Sequence, residues 1–64
     1  MIYAAVVVYS VLKEDGKYHL KNKLEAFSDE DTAIKFIESE KAFMEPYDTI
    51  RFKLGTVHKI EAIE

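Results

Sequence analysis

A single run, Ile2-Tyr-Ala-Ala-Val-Val-Val-Tyr-Ser-Val-Leu12, determines the architecture expected for this 64-residue chain. It is apolar at both parities, since even and odd positions alike carry mainly aliphatic or aromatic side chains. Its β-branched and aromatic residues favour a strand, and a strand that is apolar on both faces is usually central in its sheet and covered on both sides. We therefore predict that residues 2–12 form the middle strand.

Two amphipathic strands are predicted to flank this run. The segment that follows it contains Asp15-Gly16, a strong hairpin signal, and leads into a strand over residues 17–27. That strand has an apolar side with Tyr18, Leu20, Leu24 and Ala26 and a basic side with Lys17, His19, Lys21 and Lys23. Residues 49–54 alternate in the same way and predict a third strand. Gly55 permits a bulge or bend, after which residues 57–63 form an extended tail or a short fourth strand.

A helix is predicted between the second and third strands, over residues 29–44. Ser28 is placed to cap it, and the three acidic residues that follow suit the positive end of the helix dipole. Glu40 falls inside the apolar arc of the helical wheel, which we interpret as fraying of the helix after about residue 41. Pro46 requires the helix to stop before it.

The order strand, strand, helix, strand predicts a small α+β domain. If the helix packs back across the hairpin, the third strand lies antiparallel beside the first, and the sheet order is 2-1-3. The helix then covers one face of the sheet. We expect a single domain over residues 1–64.

Size and composition limit how this domain is stabilised. A chain of this length buries only about 60% of its unfolded surface, so small domains usually need disulfides, a metal or a partner. The chain has no cysteine, which excludes disulfides and argues against structural zinc. We therefore expect a homo-oligomer, in the simplest case a dimer. The apolar run is too short for a membrane helix, which needs about 20 residues, so we expect a cytoplasmic protein without a membrane partner.

The sheet face without the helix is the first predicted binding surface. With the apolar sides of the amphipathic strands on the helix, this face would show a central apolar stripe flanked by cations. The stripe contains either the odd positions of the first strand or their even-numbered counterparts. Its predicted binding residues, with the odd positions outward, are Tyr3, Val7, Tyr9, Lys17, His19, Lys21, Lys23, Arg51 and Lys53. A second copy, a foreign protein, or an anionic ligand that stacks on rings (a nucleotide or single-stranded nucleic acid) would each fit.

The acidic helix is the alternative binding surface. Its negative charges are concentrated at Asp29, Glu30, Asp31 and Glu38. Such a cluster is either an ordinary solvated helix face or a mimic of phosphate charge that engages a basic site. The net charge of −3 gives no general attraction to nucleic acid.

The sequence contains no motif for catalysis or cofactor binding. Its serines lack a glycine-rich elbow, its two histidines lie far apart, and neither glycine belongs to a phosphate-binding loop. Two separated histidines without a carboxylate cluster do not predict a metal site. We therefore expect a protein that is not an enzyme and carries no cofactor.

The stretch Leu24-Glu-Ala-Phe-Ser-Asp-Glu-Asp-Thr-Ala-Ile-Lys-Phe-Ile-Glu38 resembles one common in small phage and bacterial open reading frames. In those proteins a strand ends in an aromatic residue, an acidic capped turn follows, and an Ala-x-x-Phe-Ile helix packs back. With the hairpin and the last strand, the resemblance covers residues 1–54. It implies an inhibitor of host defence, such as an anti-CRISPR protein or a sponge for signalling nucleotides, and transfers no site residue.

The prediction is therefore a small non-catalytic binding protein, of the phage-inhibitor type, that docks on or sequesters a component of a host or defence system. The first alternative is a nucleotide or single-stranded nucleic-acid binder that uses the sheet face. The second alternative is a structural subunit of a larger assembly. If the chain is phage-encoded, the compartment is the cytoplasm of the host cell.

Overall fold

The computed structural model describes residues 1–61 and shows one helix on a three-stranded antiparallel sheet. The elements in chain order are β1 (Ile2–Leu12), β2 (Tyr18–Phe27), α1 (Glu30–Met44) and β3 (Ile50–Ile60). The strands lie in the order β2-β1-β3, and both neighbours of β1 are antiparallel to it. The predicted α+β class, the sheet order and the central position of residues 2–12 are confirmed.

The third strand is longer than predicted, because it continues through Gly55 to Ile60. Residues 57–60 therefore belong to β3, and the described residues contain no separate fourth strand; residues 62 and 63 of the predicted tail lie outside them. A bulge accompanies this extension. Val8 is opposite Leu54 and Tyr9 is opposite Phe52, which leaves Lys53 as the extra residue. The irregularity in the strand therefore lies at Lys53, two residues before Gly55, and not at the glycine itself.

The β1–β2 hairpin closes through Gly16, whose φ of 78° is one that L side chains rarely adopt. The carboxylate of Asp15 accepts a hydrogen bond from the backbone N–H of Lys17 at 2.9 Å, and its other oxygen lies 2.9 Å from Nε2 of His19. These two contacts, the backbone one first, lower the pKa of Asp15. The stabilisation that these contacts give is therefore complete at a pH above 3.8, the ordinary pKa of the carboxyl group, and is lost as the pH falls through the lower pKa of Asp15 in the folded protein.

The helix begins at Glu30, and its N-cap is one residue later than predicted. Asp29, not Ser28, is the N-cap, and its side chain accepts hydrogen bonds from the backbone N–H and the hydroxyl of Thr32, both at 3.0 Å. Asp29 has the extended backbone typical of an N-cap. Glu30 and Asp31 lie in the first turn, where their negative charges suit the helix dipole.

The cap assignment predicts a clear difference between two neighbouring substitutions. Asp29→Ala should lower the free energy of unfolding by about 1 kcal/mol, because it leaves amide groups of the first turn without an acceptor. Ser28→Ala should change it by less than about 0.3 kcal/mol, since the side chain at residue 28 is exposed and is not the N-cap. Urea unfolding followed by circular dichroism measures both; equal losses would contradict the assignment.

The core lies between α1 and the odd-numbered side of β1. Ala5 and Val7 are completely buried there, as is Ala33 of the helix. Gly55 lies opposite Val7, and a Cβ atom at this glycine would overlap Cγ2 of Ile37 on α1. The glycine therefore permits close approach of the helix to β3.

The domain is thin and long, because one helix covers only part of one side of the sheet. The Cα atoms span 47 × 20 × 12 Å, and their radius of gyration is 13.7 Å. A compact chain of this length would have a radius of gyration of about 11 Å. The helix is roughly 22 Å long, whereas the 11-residue strands reach about 36 Å. Among the described residues, Val7 is the largest completely buried side chain, so the core of the single chain is small.

Candidate functional site: the open face of the sheet

The open face is the side of the sheet that points away from α1. Residues directly opposite one another in antiparallel strands point to the same side, so the register assigns each position. The open face consists of Ile2, Ala4, Val6, Val8, Ser10 and Leu12 of β1, Tyr18, Leu20, Asn22, Leu24 and Ala26 of β2, and Arg51, Leu54, Thr56, His58 and Ile60 of β3. Most of these side chains are apolar and none is acidic.

Large aliphatic side chains on this face are strongly exposed. Leu20 is 72% exposed, Leu24 66%, Leu54 54% and Ile60 49%. They lie on the two outer strands, while β1 between them adds a row of smaller apolar side chains. With Ile2 and Tyr18, which are also exposed, six large apolar side chains of this face are each more than a third exposed.

The predicted orientation of β2 was wrong. The side of β2 expected to pack on the helix, with Tyr18, Leu20 and Leu24, is the open side instead. Of the predicted binding residues, those that lie on the helix side of the sheet are Tyr3, Val7, Tyr9, His19, Lys21 and Lys23. Val7 is in the core and is inaccessible to a ligand. The open stripe is therefore the even-numbered one.

The contact between Lys23 and Glu40 shows this orientation directly. The Nζ atom of Lys23 lies 3.1 Å from a carboxylate oxygen of Glu40, whose side chain is only 16% exposed. Glu40 falls within the apolar arc of α1 because it faces the sheet and pairs with this lysine. The predicted fraying after about residue 41 was therefore wrong, since the helix continues to Met44.

This ion pair gives a direct test of the orientation. In a double-mutant cycle of Lys23→Met and Glu40→Gln, we expect a coupling of about 0.5 kcal/mol in the free energy of unfolding, modest because Lys23 is partly solvated. Urea unfolding of the four proteins measures it. If the basic side of β2 pointed away from the helix, the two substitutions would be additive.

The structure does not bring the remaining predicted cations together. Arg51 is on the open face, but its guanidinium lies over the ring of Tyr18, 4.0 Å from the centroid. Lys53 occupies the bulge of β3, and Lys17 precedes β2 at the hairpin turn. The row of cations expected to flank the stripe is therefore divided between both sides of the sheet and the turn.

The acidic residues of the alternative surface have different environments. Asp29 is engaged as the N-cap, whereas Glu30 and Asp31 are exposed in the first turn. Glu38 is also exposed and lines a cleft of about 370 Å³ between α1 and β3, together with Ile37, Lys41 and Phe52. Most residues that line this cleft are apolar, and Glu38 is the one acidic residue among them. The cleft therefore does not extend the acidic cluster at the start of the helix.

Within residues 1–61, no group of three or more histidine and acidic side chains is arranged to hold a metal ion. No helix in this part of the chain combines the length and apolar character needed to cross a membrane. The open face is thus the most extensive candidate surface in the described part of the chain.

Sequence reasoning missed the leucines of this face, although two signals pointed to them. Glu40 in the apolar arc of α1 required a cation on the side of the sheet that faces the helix. Gly55 indicated a close approach between that side and α1. Comparison of the chain with protein-family models, curated proteins and solved structures gave no match.

Proposed function

We propose that this chain is a small non-catalytic binding protein that acts through protein–protein contact, with the open face as its contact surface. The observation that supports this most is the exposure of Leu20, Leu24 and Leu54 on one continuous side of the sheet. Extended exposed apolar patches on small proteins mark interaction surfaces. Aliphatic side chains bind by excluding water and provide no group for proton transfer, so the face suits association rather than catalysis.

The layout of this chain resembles that of small phage-type inhibitors. We therefore propose that the assembly formed through the open face binds a component of a host or defence system. An inhibitor of this kind acts by occupying its target, which requires a contact surface and no catalytic group. The assembly formed through the open face would provide that surface, and the cytoplasm of the host cell is the compartment we propose for the protein.

The open face offers little to a nucleotide or to single-stranded nucleic acid. Binding of phosphates and bases by a sheet requires cations beside exposed rings on the same face. Here Lys21 and Lys23 point to the helix side, and Arg51 is stacked on Tyr18, one of the few rings on the open face. The geometry therefore favours a protein partner over a nucleic-acid ligand.

Site-specific photocrosslinking in the native host cell tests this proposal. A photoreactive phenylalanine analogue at position 24 should form covalent adducts with protein, because Leu24 lies in the proposed interface. The same analogue at position 35, an exposed site on α1, serves as the matched control and should give few adducts. Absence of protein adducts from position 24, or equal adducts from both sites, would contradict the proposal.

A further inference from the structure

We infer that a second copy of this chain covers the open face, so that two sheets pack face to face in a symmetric homodimer. This inference rests on the proposed function and names the partner at the same surface. Four features of the described residues support a second copy: the exposed apolar side chains of the face, the small core of the chain, the internal pairing of several polar groups of the face and the distribution of charge.

The face provides the exposed apolar side chains that the core of a dimer interface requires. A standard interface buries about 800 Å² on each partner, and six large apolar side chains of this face are each more than a third exposed in the single chain. Covering them would add a second core to a chain in which Val7 is the only large side chain that is completely buried among residues 1–61. Two sheets packed about 10 Å apart would convert a thin plate into a sandwich.

Several of the polar side chains of the face have partners within the chain, whereas the hydroxyl of Ser10 is already buried in the single chain without one among the described residues. The hydroxyl of Thr56 lies 3.0 Å from Nε2 of His58. The guanidinium of Arg51 lies on the ring of Tyr18, and the hydroxyl of Tyr18 donates to the backbone carbonyl of Asp48 at 3.2 Å. Groups that are paired internally can be covered by an apolar surface at a lower cost than unpaired groups. The internally paired groups of the face therefore tolerate an aliphatic partner, such as a second copy of this face.

The charge distribution favours sheet-to-sheet contact over other contacts between two copies. Acidic residues are concentrated between residues 28 and 48, where the sequence has seven acidic side chains and two lysines. This segment contains α1, on the opposite side of the sheet from the open face. Packing of two open faces places both helices on the outside, where their like charges are far apart. Packing of two helices would bring those charges together.

A two-fold axis that lies between the two sheets, above the middle of β1, would satisfy this arrangement. In such an isologous interface the same patch contributes from both copies, and β1 lies between two outer strands that both present leucines. Leu20 and Leu24 of β2 would face the partner on one side of the axis, and Leu54 of β3 on the other. A substitution in the interface then acts twice in each dimer.

Sedimentation velocity of the purified full chain tests the inference. The wild-type protein should sediment at twice its mass of 7.4 kDa at micromolar concentration. Leu24→Lys should weaken the dimer at least about 100-fold, because a lysine would be buried opposite an apolar surface in both copies. Leu24→Met should remain dimeric. Phe43→Lys is the matched control, since Phe43 on α1 is 59% exposed and lies outside the open face; it too should remain dimeric.

The outcomes separate the inference from the proposed function. A wild-type chain that is monomeric at 100-fold higher concentration, or a Leu24→Lys variant that dimerises as well as Phe43→Lys, would overturn the second copy as partner. If position 24 then forms adducts with a foreign protein in the host cell, the proposed function stands and its partner is that protein. If it forms none, both fail. An unfolded Leu24→Lys chain counts for the inference only when Phe43→Lys is folded and the wild type is dimeric.

Discussion

Gly55→Ala should lower the free energy of unfolding by about 2 kcal/mol, although alanine is ordinarily the better residue within a strand. The physical reason is steric. A Cβ atom at this position would overlap Cγ2 of Ile37, so the helix must move away from β3 or Ile37 must change its rotamer. Gly55 does not have a positive φ, so the loss would not come from backbone strain. Urea unfolding followed by circular dichroism measures this loss.

The double variant Gly55→Ala/Ile37→Ala identifies the cause of that loss. Removing Cγ2 of Ile37 makes room for the new methyl group, so the double variant should lose at least about 1 kcal/mol less than the sum of the two single variants. Gly16→Ala is a useful comparison, because its Cβ would meet nothing within 4 Å and its cost would come from the positive φ alone. Additive losses at positions 37 and 55 would contradict the packing described for α1 and β3.

Thermal stability should depend on protein concentration, which is the second large effect. For a dimer that unfolds to separate chains, a 100-fold increase in concentration raises the stability by about 2.7 kcal/mol per dimer. Differential scanning calorimetry of the wild type should therefore show a melting temperature that rises by several degrees over that range.

Variants of the open face should remove this dependence. In Leu20→Ser/Leu24→Ser the melting temperature should be lower and nearly independent of concentration, because two exposed leucines of the interface are gone from each copy. Phe43→Ser, on α1, should keep the concentration dependence. A wild-type melting temperature that is constant over the range would show that the open face is not covered by a second copy.

The sequence was sufficient to predict the layout and insufficient to predict the orientation. The doubly apolar run from Ile2 to Leu12 and the Asp15-Gly16 turn are local signals, and both led to the observed arrangement. Because β1 is apolar at both parities, however, it does not select which side faces the helix. The alternation in β2 favours its apolar side on the helix, and the structure has that side on the open face instead. The choice depends on contacts between residues far apart in sequence, those of Lys23 with Glu40 and of Gly55 with Ile37.

The same distinction explains the smaller errors. Ser28 and Asp29 are both good N-cap residues, and only the backbone conformation shows that Asp29 accepts the hydrogen bonds of the first turn. From the sequence, Gly55 indicates a bulge or bend because glycine often marks one, but close packing on α1 is what requires it here. The choice of candidate binding residues depended on the predicted orientation of the sheet. Because the opposite side of the sheet faces the helix, most of these residues lie on the helix side.

The even-numbered face of the sheet is the proposed contact surface, and a second copy of the chain is its proposed occupant. Isotope-filtered NMR of a mixture of ¹³C-labelled and unlabelled chains tests it most directly. Intermolecular nuclear Overhauser effects are predicted between the methyl groups of Leu20, Leu24 and Leu54 and the even-numbered side chains of β1 in the partner. Absence of such effects at a concentration where the protein is folded, or effects confined to α1 residues such as Ile34 and Phe43, would contradict it.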